Sequence, residues 1–257
     1  MVPGNNLEEF VDPANCDLEE APGLAHRVEF YVGLDRSAGT VLDLACGTGL
    51  VALPMAERGL SVTGVDLAAP MLDHARSKSR AAGLDVDWVQ ADARDFDLGR
   101  RFDLVFMTGP AFQAFLTRDD QDQMLGCVKR HLAEGCVFAF DNRNPSGHDP
   151  RSHADEEVWQ TFIDVGGRLV TISGTQDFDA AAMTKFWTTW RRWSDGDRRV
   201  ERRSRTACRF MDAIEQNALL HENGFEVVHQ LGDWDRAPLT KRSEEISSIC
   251  RLGSPPS

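Results

Sequence analysis

Between residues 41 and 140 short apolar runs alternate with helical stretches, and no other feature constrains the fold as tightly. Residues 41–44 form an apolar run that ends in a glycine-containing loop. Residues 50–58 continue as a helix, with Pro54 near its first turn, where a missing N–H costs little. Further strands are predicted at 61–65, 86–90, 102–107 and 137–140. Between them lies a helix at 70–82, with Met71, Leu72 and Ala75 on one face and Gly83 as its stop. Another is capped by Thr117, and its Met124, Leu125, Val128 and Leu132 recur at helical spacing. Strands separated by helices predict a parallel sheet covered on both faces, an α/β fold.

The pattern changes after Pro145. Residues 158–165, 168–173, 185–193 and 198–210 read as strands joined by turns such as Gly166-Gly167 and Ser194-Asp195-Gly196-Asp197. Consecutive strands with tight turns predict an antiparallel insertion. A helix follows at 213–222, with Asp212 and Glu215 in capping-box spacing and Gly224 as its stop. Residues 225–230 and 245–251 then complete the parallel sheet. The expected organisation is a helical cap at 1–36 (one helix at 24–34), a core at 37–150, the insertion at 151–210 and a return to the core at 211–257.

Composition narrows the partners. A net charge of −13 would repel phosphate backbones and anionic lipid, so no nucleic acid or membrane is expected. No run of about 18 apolar residues is present, and the N-terminus lacks the basic flank and apolar stretch of a signal peptide. Six cysteines without C-x-x-C spacing argue against structural zinc and for a reducing cytoplasm. A small molecule is the expected partner, and a homodimer stays open.

The loop Gly47-Thr48-Gly49-Leu50-Val51-Ala52 fits the G-x-G-x-x-G/A pattern of dinucleotide sites, which alone does not separate NAD from other adenosine ligands. Ligands of open α/β sheets sit beyond the carboxyl ends of the strands, where this chain carries Asp43, Asp66 and Asp92. Asp66 can accept both hydroxyls of a ribose. Asp92 can accept an adenine amine, with the Ala93 N–H facing a ring nitrogen. Asp43, four residues before Gly47, would repel a pyrophosphate and suits an ammonium or sulfonium. Each aspartate also suits an N-cap role, although three caps in this order would be a coincidence.

These residues resemble the class I S-adenosylmethionine-dependent methyltransferases. VLDLACGTG is similar to their glycine loop, VTGVDLAAPML to their ribose-binding strand end, VQADARDF to their adenine-binding segment, and FDLVFMTG with the following helix to the fourth strand. The resemblance implies a Rossmann-like, doubly wound seven-stranded sheet, with the antiparallel insertion as a substrate lid. It implies S-adenosylmethionine as cofactor and S-adenosylhomocysteine as product. Asp43, Ala45, Gly47 and Gly49 would hold the methionine part, Asp66 the ribose, and Asp92 and Ala93 the adenine. Leu67 and Met71 would sandwich the adenine ring, and Met107 would lie at the end of the fourth strand. Ala45 stands where members often carry a first glycine. The insertion looks like that of small-molecule N-methyltransferases, so in-line transfer to nitrogen is expected before oxygen. The alternatives are a non-catalytic adenosyl-binding protein and, behind it, a nicotinamide-dependent oxidoreductase.

No residue announces itself as a general base, and Tyr31 and His148 are the catalytic candidates. Asp141-Asn142 resembles the metal ligands of catechol-type O-methyltransferases, but Met107-Thr108-Gly109-Pro110 offers no second acid, so no metal is expected. His131, in the last turn of its helix, is expected to complement the helix dipole, and Cys46 to be a small buried loop residue. Tyr31, Phe112, Phe115 and Trp190 are the expected acceptor contacts. Strand alternation puts Phe186 and Trp190 on one face of the insertion, with Trp187 and Trp193 opposite. Seven arginines between 191 and 205 are expected to form a solvated face rather than an anion-binding patch.

Overall fold

The computed structural model describes residues 6–20, 23–34, 39–147 and 152–253. Seven strands form one sheet in the order β10 (Phe225–Leu231), β11 (Glu245–Leu252), β5 (Leu132–Arg143), β4 (Phe102–Met107), β1 (Thr40–Leu44), β2 (Ser61–Asp66) and β3 (Val86–Gln90). Six of the seven strands point the same way, and β11 is antiparallel to both its neighbours, β5 and β10. The strand order reverses between β1 and β4, so the crevice of a doubly wound sheet opens at their carboxyl ends.

Alternate residues of the central strands feed two apolar layers. On one face Leu42, Leu44, Val105, Phe138 and Phe140 pack on Met124, Leu125 and Val128 of α5 (Arg118–His131) and Leu219 and Leu220 of α6 (Ala213–Glu222). On the other, Val41, Leu104, Phe106 and Ala139 pack on α2 (Leu24–Val32) and α3 (Ala52–Glu57). Each fully buried Phe or Leu contributes about 1.5–3 kcal/mol, which makes the strands' near-continuous apolar runs the main determinant of the layering. The helix ends follow the expected chemistry. Thr117 accepts from the Asp120 N–H at 3.1 Å, Asp212 accepts from Ile214 and Glu215 at 2.9 Å each, and Gly83 takes a left-handed φ of 67° at the end of α4 (Ala69–Ala82). Glu215 turns to Arg209 instead of closing a capping box.

One expectation near α5 changes. Leu132 leaves the helix and opens β5, which runs well before and beyond the predicted 137–140. His131 sits in the last turn of α5, as expected, and is in addition buried among core residues. Its Nε2 accepts the Leu98 N–H at 3.0 Å, its Nδ1 donates to the Cys127 carbonyl at 2.8 Å, and its ring stacks on Phe96 at 4.4 Å. The histidine therefore ties the loop before β4 to the end of α5.

The insertion is a four-stranded antiparallel sheet in the order β6 (His153–Ile163), β7 (Leu169–Asp179), β8 (Thr184–Asp195) and β9 (Arg198–Arg209). Its arginines are not a single solvated face. Arg191 has only 5% of its side chain exposed and pairs with Glu9 and, at 2.7 Å, with Glu19. Arg202 meets Asp12 at 3.1 Å and Arg205 meets Glu8 at 3.6 Å, while Arg192 is held by Glu156 and Glu201 within the sheet. The acids that bind Arg191, Arg202 and Arg205 come from α1 (Pro13–Glu20) and the residues just before it, far away in sequence, so a local pattern could not reveal them. Asn6 adds a two-way amide pair with the backbone of Ala207, at 2.9 Å in each direction. Residues 6–20 thus form a strap across the insertion. Its other edge is Asp17, which accepts from the Thr48 hydroxyl in the glycine loop and from Lys78 of α4 at 2.6 Å.

Candidate functional site

The loop after β1 owes its shape to three left-handed residues: Ala45 (φ 56°), Gly47 (φ 54°) and Gly49 (φ 77°). Alanine takes this conformation only at a cost, so Ala45 does the work of a glycine under strain. The glycines answer a second demand. A Cβ on Gly49 would lie 2.5 Å from the Trp88 indole, and one on Gly64 would lie 2.5 Å from the same ring and 2.8 Å from the Cys46 sulfur. Trp88, on β3, therefore presses against the back of the loop, with its Nε1 donating to Ser79 at 3.1 Å. Sequence reading missed Trp88, because nothing local ties a tryptophan on one strand to glycines on another.

Two of the three strand-end aspartates meet in the crevice. Asp66 accepts from the Gly47 N–H at 2.8 Å and the Ala68 N–H at 2.7 Å, which braces the loop against the start of α4. Each oxygen keeps a second lone pair. Burial pushes the Asp66 carboxyl up, and these backbone bonds oppose the shift. Asp43 is 1% exposed, and its Oδ1 has no partner among the described residues. Burial, then the neighbouring Asp66, pushes its carboxyl well above the usual range. A buried acid beside another acid, with no cation and an unsatisfied oxygen, is stable only when a positive group arrives or a proton binds. That fits a sulfonium or ammonium and opposes a pyrophosphate. Neither Asp43 nor Asp66 is merely a helix cap: Asp43 caps nothing, and α4 starts from Ala68.

The remaining expected cofactor contacts lie around this pair. Met71 is buried, with its Cε 3.6 Å from where a Gly47 Cβ would stand, and Leu67 is half-buried on the way into α4. Asp92 and Ala93 follow β3 and are half-buried. Asp92 differs from Asp43 in having a partner: Arg94 holds it in a fork, Nε at 3.0 Å and a terminal nitrogen at 2.6 Å, and this bond lowers its carboxyl below the usual range. Met107 is buried, and its carbonyl lies 3.1 Å from the Tyr31 hydroxyl.

Tyr31 is fully buried on α2 and bonds to Asp141 at the end of β5. Burial lifts Asp141 to about 6, against the pull of Tyr31, Thr108, Arg27 and the Gly109 N–H. The other expected acceptor contacts are dispersed. Phe112 is fully buried and stacks on Phe140 at 4.3 Å, with Phe115 edge-on at 6.5 Å, so Phe112 packs the core beneath the crevice. Trp190 lies on the face of β8 opposite Arg191, between Arg203 and Arg192 at 5.9 and 5.6 Å. Trp187, on the Arg191 face, meets Arg143 at the end of β5 at 5.4 Å. It, not Trp190, is the tryptophan of β8 in contact with a crevice strand end. His148 lies outside the described residues. Among the described residues no group of three His, Cys, Asp or Glu side chains is placed to hold a metal, and no helix is long and apolar enough to cross a membrane.

The chain is similar to known methyltransferases. Residues 41–135 match the family described as a methyltransferase domain. The cypemycin N-terminal methyltransferase of a Streptomyces species is 32% identical over 174 residues, covering 66% of each chain. Such matches span two thirds of the curated relatives' length or less. Among solved structures, the CcbJ methyltransferase of Streptomyces caelestis superposes with a TM-score of 0.80 at 24% identity, covering 98% of this chain and 100% of that one. The sugar N-methyltransferase KedS8 of a Streptoalloteichus species does so with a TM-score of 0.74 at 21% identity, covering 92% of each. At those identities the likeness is one of fold.

Proposed function

Because the chain belongs to the class I S-adenosylmethionine-dependent methyltransferases, we propose that it methylates a small-molecule acceptor, at nitrogen in preference to oxygen. When bound, the cofactor supplies an activated methyl group on a positively charged sulfur. The chain's own residues have to hold that cation, fix its direction and keep water out. Asp43 carries the reading, because its buried, unpartnered oxygen beside Asp66 suits a cation and opposes a pyrophosphate. The free lone pairs of Asp66 serve the ribose hydroxyls, Asp92 and Ala93 the adenine edge, and Leu67 and Met71 the adenine faces. Ala45, Gly47 and Gly49 let the backbone approach closely.

The strap and the lid would close over the bound ligands and exclude water. Preference for nitrogen is supported by the described activities of the cypemycin and KedS8 enzymes. The test is calorimetry with S-adenosylhomocysteine, S-adenosylmethionine and NADH. Micromolar binding of the first two is expected, and tighter binding of NADH would refute the reading.

A further inference from the structure

Polar groups that the adenosyl site does not use converge where β4, β5 and β11 meet the crevice, on the α2 side of the sheet. Asp141, 2% exposed, takes its bonds from Tyr31 and the Gly109 N–H. In the antiparallel register Ser247 stands opposite Asp141 and Glu245 opposite Arg143, so all four share one face. Ser247 is fully buried, and its hydroxyl has no partner among the described residues. Arg27, 8% exposed, pairs with Glu20 at 3.2 Å, lies over Trp234 at 5.2 Å and leaves its Nε unpartnered.

Glu245 is the half-buried acid of this group, beside the half-buried Arg143, and so the carboxylate that can meet a ligand. Its charged neighbours are Asp141 and Arg143 on β5, Glu244 beside it, and Arg27 on α2, with Tyr31 behind Asp141. Arg143 stands opposite in register yet forms no ion pair with it, because its guanidinium lies over Trp187, which it shares with Lys185. Burial first and Asp141 second lift Glu245 to about 7. Two carboxylates and an unsatisfied hydroxyl then share one face; Arg27 and Arg143 lie near enough to pull on Glu245, but Arg27 is paired with Glu20 and Arg143 lies over Trp187.

We infer that Glu245, with Asp141 and Tyr31 held behind it, receives the acceptor as an ammonium ion and takes its proton, so that the acceptor is a primary or secondary amine. The inference rests on the methyltransferase reading. In the step, one N–H bond breaks and the proton moves to a Glu245 oxygen. The freed lone pair on nitrogen forms the new bond to the methyl carbon as the carbon–sulfur bond breaks, its electron pair staying on sulfur. The product leaves as a methylated ammonium ion, and Glu245 returns its proton to solvent. Asp141 and Tyr31 act as positioning residues that hold the site's charge and shape.

The test uses the full chain loaded with S-adenosylhomocysteine and titrated with benzylamine, glucosamine and phenylalaninamide, each against its hydroxyl counterpart. At pH 6.5, in two buffers of different ionisation enthalpy, wild-type protein should prefer an amine and release up to one proton per amine bound. Glu245→Gln should release none and keep its affinity for S-adenosylhomocysteine. With labelled S-adenosylmethionine, Glu245→Gln should lose about 100-fold in kcat/KM at neutral pH. That deficit should narrow above pH 9, where amines deprotonate unaided, and Glu245→Asp should recover part of the rate. Unchanged proton release in Glu245→Gln, a loss that does not vary with pH, or no preference for any of the amines overturns the assignment. Failure of the wild type to bind S-adenosylhomocysteine would instead remove the reading beneath it.

Discussion

Replacing Arg191 with methionine tests whether the strap is bonded to the lid or merely lies against it. The guanidinium has 5% of its side chain exposed, against 19% for Glu9 and 15% for Glu19, and it also donates to Ser204 at 3.3 Å. Methionine keeps the aliphatic stem but leaves two part-buried carboxylates facing each other without a cation. Removing one member of a buried ion cluster costs about 3–5 kcal/mol. The strap keeps independent anchors at Asn6, Asp12 and Asp17, so the loss should appear as local opening of residues 6–20 and not as global unfolding. Three kcal/mol is a little over two decades of population, so amide exchange in α1 should accelerate about 100-fold or more. Because Asp17 bonds to Thr48 in the cofactor loop, the dissociation rate of S-adenosylhomocysteine should rise with it. Adding Glu9→Gln and Glu19→Gln should restore much of the protection by removing the stranded charges. Unchanged exchange in Arg191→Met would refute the reasoning and return Arg191 to the solvated face predicted from sequence.

Further measurements probe the site itself. Ala45→Gly should stabilise the protein by up to ~1 kcal/mol, because relief of ~1–2 kcal/mol of left-handed strain exceeds the ~0.5–1 kcal/mol entropy penalty of glycine; a lowered Tm would count against the strain. Asp66→Ala should weaken S-adenosylhomocysteine binding about 100-fold, since the loop loses its brace and the ribose its acceptor; calorimetry reads this directly. Asp141 has a folded pKa of about 6, above its unfolded value, so its contribution is fully present below about pH 4 and is lost as pH rises through 6. Denaturant titrations should therefore show Asp141→Asn losing less stability than wild type between pH 4 and 7.

The alternating core was legible because each strand and helix advertises itself locally. Thr117, Asp212 and Gly83 cap the ends that their chemistry predicts. The strand-end positions of Asp43, Asp66 and Asp92 could be read for the same reason, since each directly follows or closes an apolar run. What escaped depends on pairing across long separations. Arg191 looked exposed because its acids lie about 180 residues earlier. Trp88 gave no sign that it would fill the space behind Gly49 and Gly64. Glu245 carries no motif, and its place beside Asp141 comes only from the antiparallel register of β11. The burial of His131 was not legible because it depends on a loop from another part of the chain.

The strap also bears on how the chain is made. Residues 6–20 leave the ribosome long before their partners Arg191, Arg202, Ser204 and Ala207. Until β8 and β9 are made, the acids Glu8, Glu9, Asp12 and Glu19 lack these partners, while β1 to β4 and their helices can already pair among themselves. Docking of the strap is then a late folding event that closes loops of about 200 residues, which is slow relative to forming the local βα units. A nascent chain stalled before β8 should hold a formed glycine loop with the strap's acids still open to protease.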